Sequence, residues 1–261
     1  MTALPTLYIS HGSPMTALHP GQTGARLAEL ATQLPRPQAI VIASAHWLSR
    51  APQVGGAERP KTVHDFSGFP APLYRLDYPA PGAPQLAAEV ATLFDRAGLK
   101  ATIDPARGLD HGAWVPLRML YPDADIPVVP IALQPMLGPA HQLALGRALA
   151  PLRERGVLVI GSGSITHNLH DLAAGYSAGR EAPYVRPFIG WIEQQLAAGD
   201  VDALLDYRAR APFAERAHPT DEHLLPLFVA LGAAGTPFRA QRLDAGIDLG
   251  ILAMDIYRFD R

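Results

Sequence analysis

Three short runs constrain the fold most. Residues 38–45 (QAIVIASA), 126–133 (IPVVPIAL) and 156–162 (GVLVIGS) are apolar at nearly every position and rich in β-branched residues. A strand with one wet face alternates apolar and polar residues. A run without alternation is buried on both faces, which is the signature of a parallel sheet covered by helices on each side. The intervening stretches supply those helices. Residues 23–34, 84–97, 139–155, 183–198, 201–208 and 223–234 read as helical, with Leu86, Val90 and Leu93 forming one apolar stripe. Residues 5–10 (PTLYIS) read as a further strand and residues 251–257 as a final one. Pro130 inside the run at 126–133 argues for an edge strand or a bulge. The alternation predicts an α/β fold with a mostly parallel central sheet flanked by helices. No linker, repeat or block of like charge divides the 261 residues, so residues 1–261 are expected to form a single domain.

Composition narrows the function. The formal net charge is −2, which leaves no broad basic field for nucleic acid. There are no cysteines, which excludes disulfides, thiolate metal sites and a cysteine nucleophile. The N-terminal residues lack the basic and apolar regions of a leader, and no apolar run is long enough for a membrane span, so a cytoplasmic protein is expected. The GxSxG and HExxH patterns are absent.

The ten histidines carry the strongest chemical signal. His11 follows LYIS directly, His46 follows IVIASA directly, and His167 follows VLVIGSGSIT after a glycine-rich turn. In an open parallel sheet, ligands bind beyond the carboxyl ends of the strands. A lone histidine after a strand is ordinarily a polar loop residue, but three delivered to one sheet edge favour a metal site built from imidazole and oxygen. Gly161 and Gly163 are expected to let the backbone approach a ligand closely. His111 follows Asp110 and precedes Gly112. Asp110 is either a carboxylate that tunes the imidazole or the cap of the following helix, and Gly112 would leave room for a substrate. In the stretch HPTDEHLLPL, His223 is either a ligand or a partly buried helix residue. In residues 64–70 (HDFSGFP), Phe66 and Phe69 offer an apolar wall for an aromatic ring or simply anchor the loop, and His64 is placed to meet a carboxylate or amine of the substrate.

The segments HGSPM at 11–15, LPRPQAIVIASAHW at 34–47, VHDFSGFPAPLYRLDYPAPG at 63–82, LDHGAWVPLRMLYPDADIPVVPI at 109–131, GSGSITHNL at 161–169 and EHLLPL at 222–227 occur together and in this order. With them the chain resembles the class III extradiol ring-cleavage dioxygenases, in the 4,5-DOPA dioxygenase branch. The resemblance implies one mononuclear divalent metal, Fe(II) for dioxygenase activity or Zn(II) as isolated. It implies ligands at His11, His46 and His223, with His167 on or beside the metal. More distant relatives use a glutamate as third ligand, and Glu222 offers that alternative here. His111 matches the acid–base histidine. The implied partners are a small catechol and O2, and the implied product is a ring-opened semialdehyde acid. Two other readings use the same residues. A zinc hydrolase would ignore oxygen. A non-catalytic binding protein of the same fold would be expected to have lost one of the five histidines, all of which are present.

Overall fold

The computed structural model describes residues 3–177 and 179–261. In chain order the elements are β1 (Thr6–Ser10), α1 (Gly21–Gln33), β2 (Ala39–Leu48), β3 (Gln53–Gly55), α2 (Pro84–Arg96), β4 (Thr102–Asp104), α3 (His111–Leu120), β5 (Val128–Leu133), α4 (Gly138–Leu149), β6 (Val157–Gly163) and α5 (Val185–Ala198). The short helices α6 (Val201–Leu205), α7 (Tyr207–Arg210) and α8 (Ala214–Ala217) follow, then α9 (Leu225–Ala234), β7 (Arg239–Leu243), β8 (Ile247–Asp248), β9 (Leu252–Ala253) and β10 (Ile256–Asp260).

Eight strands form one sheet in the order β4-β3-β5-β2-β6-β1-β10-β7, and β8 pairs with β9 in a separate ribbon. The four central strands, β5, β2, β6 and β1, are parallel. The strand β10 adds antiparallel to β1, and β7 antiparallel to β10. The continuous apolar runs are explained by two cores. Val41, Ala43, Val129 and Val159 point to the face covered by α2, α4, α5 and α9, whereas Ile40, Ile42, Leu158 and Ile160 point to the face covered by α1 and α3. Alternate residues of one strand thus enter different cores, and neither face is left to water.

Three expectations need correction. Pro130 is neither on an edge strand nor at a bulge of its own strand: β5 lies between β2 and β3. The proline is tolerated because β3 meets β5 at a single pair, Val54 with Ile131, so little ladder is lost there. The helix expected to run to residue 155 ends as an α-helix at Leu149 and finishes as a tighter 3-10 segment containing Pro151. The last sheet strand is Ile256–Asp260, later than expected, because the apolar residues before it enter the small β8–β9 ribbon.

Candidate active site

The sheet order assembles the site. The strand β6 runs between β1 and β2, so residues leaving the carboxyl ends of these three strands are neighbours although they are far apart in sequence. His11 is the first residue past β1, His46 lies near the end of β2, and β6 ends in Ser162 and Gly163. Ser162 pairs with Ile9 on one side and with Ser44 on the other. His111 is the first residue of α3, and His223 sits in the turn before α9. Their rings meet over the strand ends. The Nε2 atoms of His11 and His46 are 3.1 Å apart, and those of His223 and His46 are 3.3 Å apart.

Two glycines make this convergence possible, though not as the sequence suggested. A Cβ on Gly112 would run into Ser44 Oγ, the His46 ring at 2.9 Å and the His11 ring at 3.2 Å. Its missing side chain therefore makes room for the histidines and not for substrate. Side chains on Gly161 and Gly163 would strike the backbone carbonyls of Pro226 and His223. What approaches β6 closely is the start of α9, and this brings His223 into the cluster.

Proton accounting shows what the cluster is suited to hold. The Ser162 hydroxyl donates to the Gly112 carbonyl, so its oxygen is free to accept from His11 Nδ1 at 3.0 Å. His223 Nδ1 donates to Glu222 Oε1 at 3.1 Å. His46 Nδ1 faces Asp65 Oδ2 at 3.5 Å. In this assignment each ring carries its proton on Nδ1, and three bare Nε2 lone pairs point at one another. Lone pairs at such distances repel unless a cation lies among them. Burial, reinforced by the neighbouring histidines, holds the His11 and His223 pKa values well below the ordinary imidazole range. Burial likewise lowers His46 to about 3, with His111 contributing. The rings are neutral at neutral pH, which is the form that ligates metals. The donor set fits one divalent metal ion. Glu222 contacts the outer nitrogen of His223 and accepts from Thr220 Oγ1 at 3.0 Å, a placement suited to orienting that histidine, and with His167 and His223 it also forms a second group close enough to hold a metal.

His111 and His167 flank this triad. Asp65 grips His111 twice, accepting from its backbone N–H at 2.8 Å and from ring Nδ1 at 3.0 Å. Partial burial alone would raise the Asp65 pKa, but the hydrogen bonds and charge of His111 outweigh it and bring it down to about 2. The imidazole proton is thereby fixed on Nδ1, and Nε2 is left as an acceptor. Asp110 takes the other role open to it. It caps α3, accepting from Ala113 N, from Ser44 Oγ at 2.5 Å and from Arg107. His167 lies outside the His11–His46–His223 triad but shares a second potential ligand group with Glu222 and His223. Its ring stacks on His223 with centroids 3.4 Å apart and planes 7° from parallel, and burial lowers its pKa to about 4.

Above the histidines is a recess of about 390 Å³, to which Phe66 and Phe69 contribute one wall. The two rings meet edge to face at 5.4 Å, and Phe66 also lies against His111 at 5.7 Å. His64, expected at the substrate, does not line the recess. Its Nε2 bonds the Leu76 carbonyl at 3.0 Å, and its ring packs behind Phe66 and against Trp114. Sequence reasoning missed Asp65, Ser162 and Ser44. The position of Asp65 beside two residues already singled out was the only signal available for it.

Comparison with known proteins places the chain in a family. Residues 5–244 match the family model described as the catalytic LigB subunit of aromatic ring-opening dioxygenase. A protein of Beta vulgaris named 4,5-DOPA dioxygenase extradiol is 41% identical over 258 residues, covering 97% of this chain and 96% of the relative. One of the same name from Escherichia coli (strain K12) is 38% identical, with coverage of 97% and 93%. A crystal structure of an uncharacterized Escherichia coli K12 protein superposes with a TM-score of 0.80 at 32% identity, covering 98% of this chain and 99% of that one.

Proposed function

The chain belongs to the LigB family of aromatic ring-opening dioxygenases and is an extradiol dioxygenase acting on a catechol; from that premise we propose how its residues divide the work. The observation that carries the reading is the meeting of three unprotonated Nε2 atoms beneath an apolar recess, with His111 at its edge. We assign His11, His46 and His223 as the ligands of one divalent metal, Fe(II) in the active enzyme. Residues 1–261 act as one catalytic domain, in the cytoplasm.

Fe(II), when bound, supplies the electronic link that lets triplet dioxygen react with a singlet catechol. The protein does the rest. Phe66 and Phe69 hold the flat ring against the histidine cluster and keep water out, which fixes the reacting carbon beside the diol. His111 Nε2 accepts a proton from a catechol hydroxyl as the diol binds, while Asp65 stabilises the imidazolium through Nδ1. The proton is returned as the oxygen–oxygen bond breaks, so the histidine ends as it began and both oxygen atoms enter the product. His167, neutral and stacked on His223, is the second proton-handling group. The product is a ring-opened semialdehyde acid.

The test is oxygen uptake after anaerobic reconstitution with Fe(II), using catechols that include DOPA. One oxygen consumed per catechol, with a yellow chromophore that disappears in His111→Ala, is the expected result. Stoichiometric metal without uptake on any catechol would overturn the reading.

A further inference from the structure

Three of the exposed large apolar side chains gather at the rim of the recess. Leu169, Leu172 and Leu249 are 49%, 51% and 45% exposed, yet all three line the same mouth, and buried Leu252 lies beneath them. Single exposed leucines are ordinary, but three converging on one opening make an apolar collar. Among the described residues no lysine or arginine lines the recess. Arg180 reaches Gly175 on an adjoining segment but does not line the recess, and two other arginines nearby are committed elsewhere. Arg216 pairs with Asp171 at 2.5 Å, and Arg107 pairs with Asp110 while lying over the Trp47 ring. The acids are committed too: Glu222 serves His223, and Asp65 serves His111. Apart from the histidines, the polar side chains in the lining are Ser13 and Ser164. Ser13 accepts from Met15 N, and Ser164 donates to the Thr166 carbonyl.

A charged group drawn into this mouth would lose its water and meet no ionic partner in the lining. An apolar chain would cover the leucines and gain from every methylene buried. We propose that the recess selects catechols whose ring substituent is uncharged and apolar, such as a short alkyl chain, over catechols carrying a zwitterionic amino-acid chain. This rests on the ring-cleavage reading only for the placement of the diol at the histidines. The collar then receives whatever projects from the far side of the ring.

The experiment compares 4-methyl-, 4-ethyl- and 4-propylcatechol with DOPA. Anaerobic calorimetric titration of the zinc-loaded protein reads affinity without turnover, and oxygen uptake by the Fe(II)-loaded protein reads kcat/KM. Affinity is expected to rise by roughly fourfold per added methylene. DOPA should bind at least about tenfold more weakly than 4-propylcatechol, because its charges lose water without compensation. Leu172→Arg, with Leu169→Arg as a second placement of the charge, should shift the ratio of the two affinities toward DOPA. DOPA binding as tightly as 4-propylcatechol, or a ratio unmoved by both substitutions, would overturn the inference. Binding in the expected order without oxygen uptake would overturn the ring-cleavage reading and leave the selectivity of the recess standing. Failure of every catechol to bind would overturn both.

Discussion

Asp65 holds His111 by two hydrogen bonds at once, one to the backbone N–H at 2.8 Å and one to ring Nδ1 at 3.0 Å. The loop bearing the apolar wall is thereby tied to the first residue of α3, and the ring's tautomer is fixed. Asp65→Asn keeps an acceptor for the backbone but turns an amide N–H toward Nδ1, which moves the ring proton to Nε2. With the base capped in this way, kcat should fall by roughly 10²-fold or more. Metal binding should weaken as well, because His46 Nδ1 faces the same Asp65 oxygen, so kcat is read by oxygen uptake at saturating Fe(II) and bound metal by elemental analysis. A parent-like kcat would remove His111 from the proton pathway.

Glu222 accepts from His223 Nδ1 and so keeps Nε2 free for the metal. Glu222→Gln preserves shape but loses the charge that fixes this tautomer. Metal affinity should drop by about 10–100-fold, measured by competition with a coloured chelator. His223→Ala should go further and leave metal content well below one per chain.

Gly112 has no room for a side chain, with His46 2.9 Å and His11 3.2 Å from where a Cβ would stand. Gly112→Ala must push these rings apart or distort the start of α3. The cost is expected at about 1–3 kcal/mol of stability, read by urea denaturation of the metal-free protein. Weaker metal binding should accompany it. An unchanged denaturation midpoint would show that the cluster yields more easily than its packing implies.

His218 gives the fold an acid-sensitive element outside the triad. It is fully buried, its Nε2 bonds the Ile165 carbonyl at 2.8 Å, and burial lowers its pKa to about 4 from the usual 6.5. Because the folded state takes up this proton later than the unfolded state, the stabilising contribution is complete above pH 6.5 and is lost as pH falls toward 4. Between pH 7.5 and 5 this amounts to about 2 kcal/mol. His218→Gln should flatten the pH dependence of urea stability over that range by a comparable amount, whatever its effect on stability at pH 7.5. An unaltered slope would assign the acid sensitivity to other groups.

The sequence made some of this legible and not the rest, for physical reasons. Burial on both faces leaves a continuous apolar run, so the central strands could be read directly. A histidine at the end of such a strand inherits that legibility, and His11 and His46 stand at the strand ends as anticipated. His223 was harder to place, because the turn before α9 has no period and only the close approach at Gly163 brings it in. Asp65 leaves no pattern at all, since a loop carboxylate acquires meaning only from what it touches. Asp110 showed two roles that local sequence could not separate. The structure separates them by giving Asp110 the helix cap and Asp65 the imidazole.

The strand order has one more consequence. His46 and His223 are 177 residues apart, and β1, which delivers His11, is held on its outer side by β10 near the chain's end. Such high contact order means that the three donors meet only after nearly the whole chain has emerged and the sheet has closed. A nascent chain on the ribosome offers scattered, unconverged imidazoles. A metal ion at the proposed site would therefore be captured tightly only by the finished fold, and the same topology that builds the site would delay its loading until the sheet has closed.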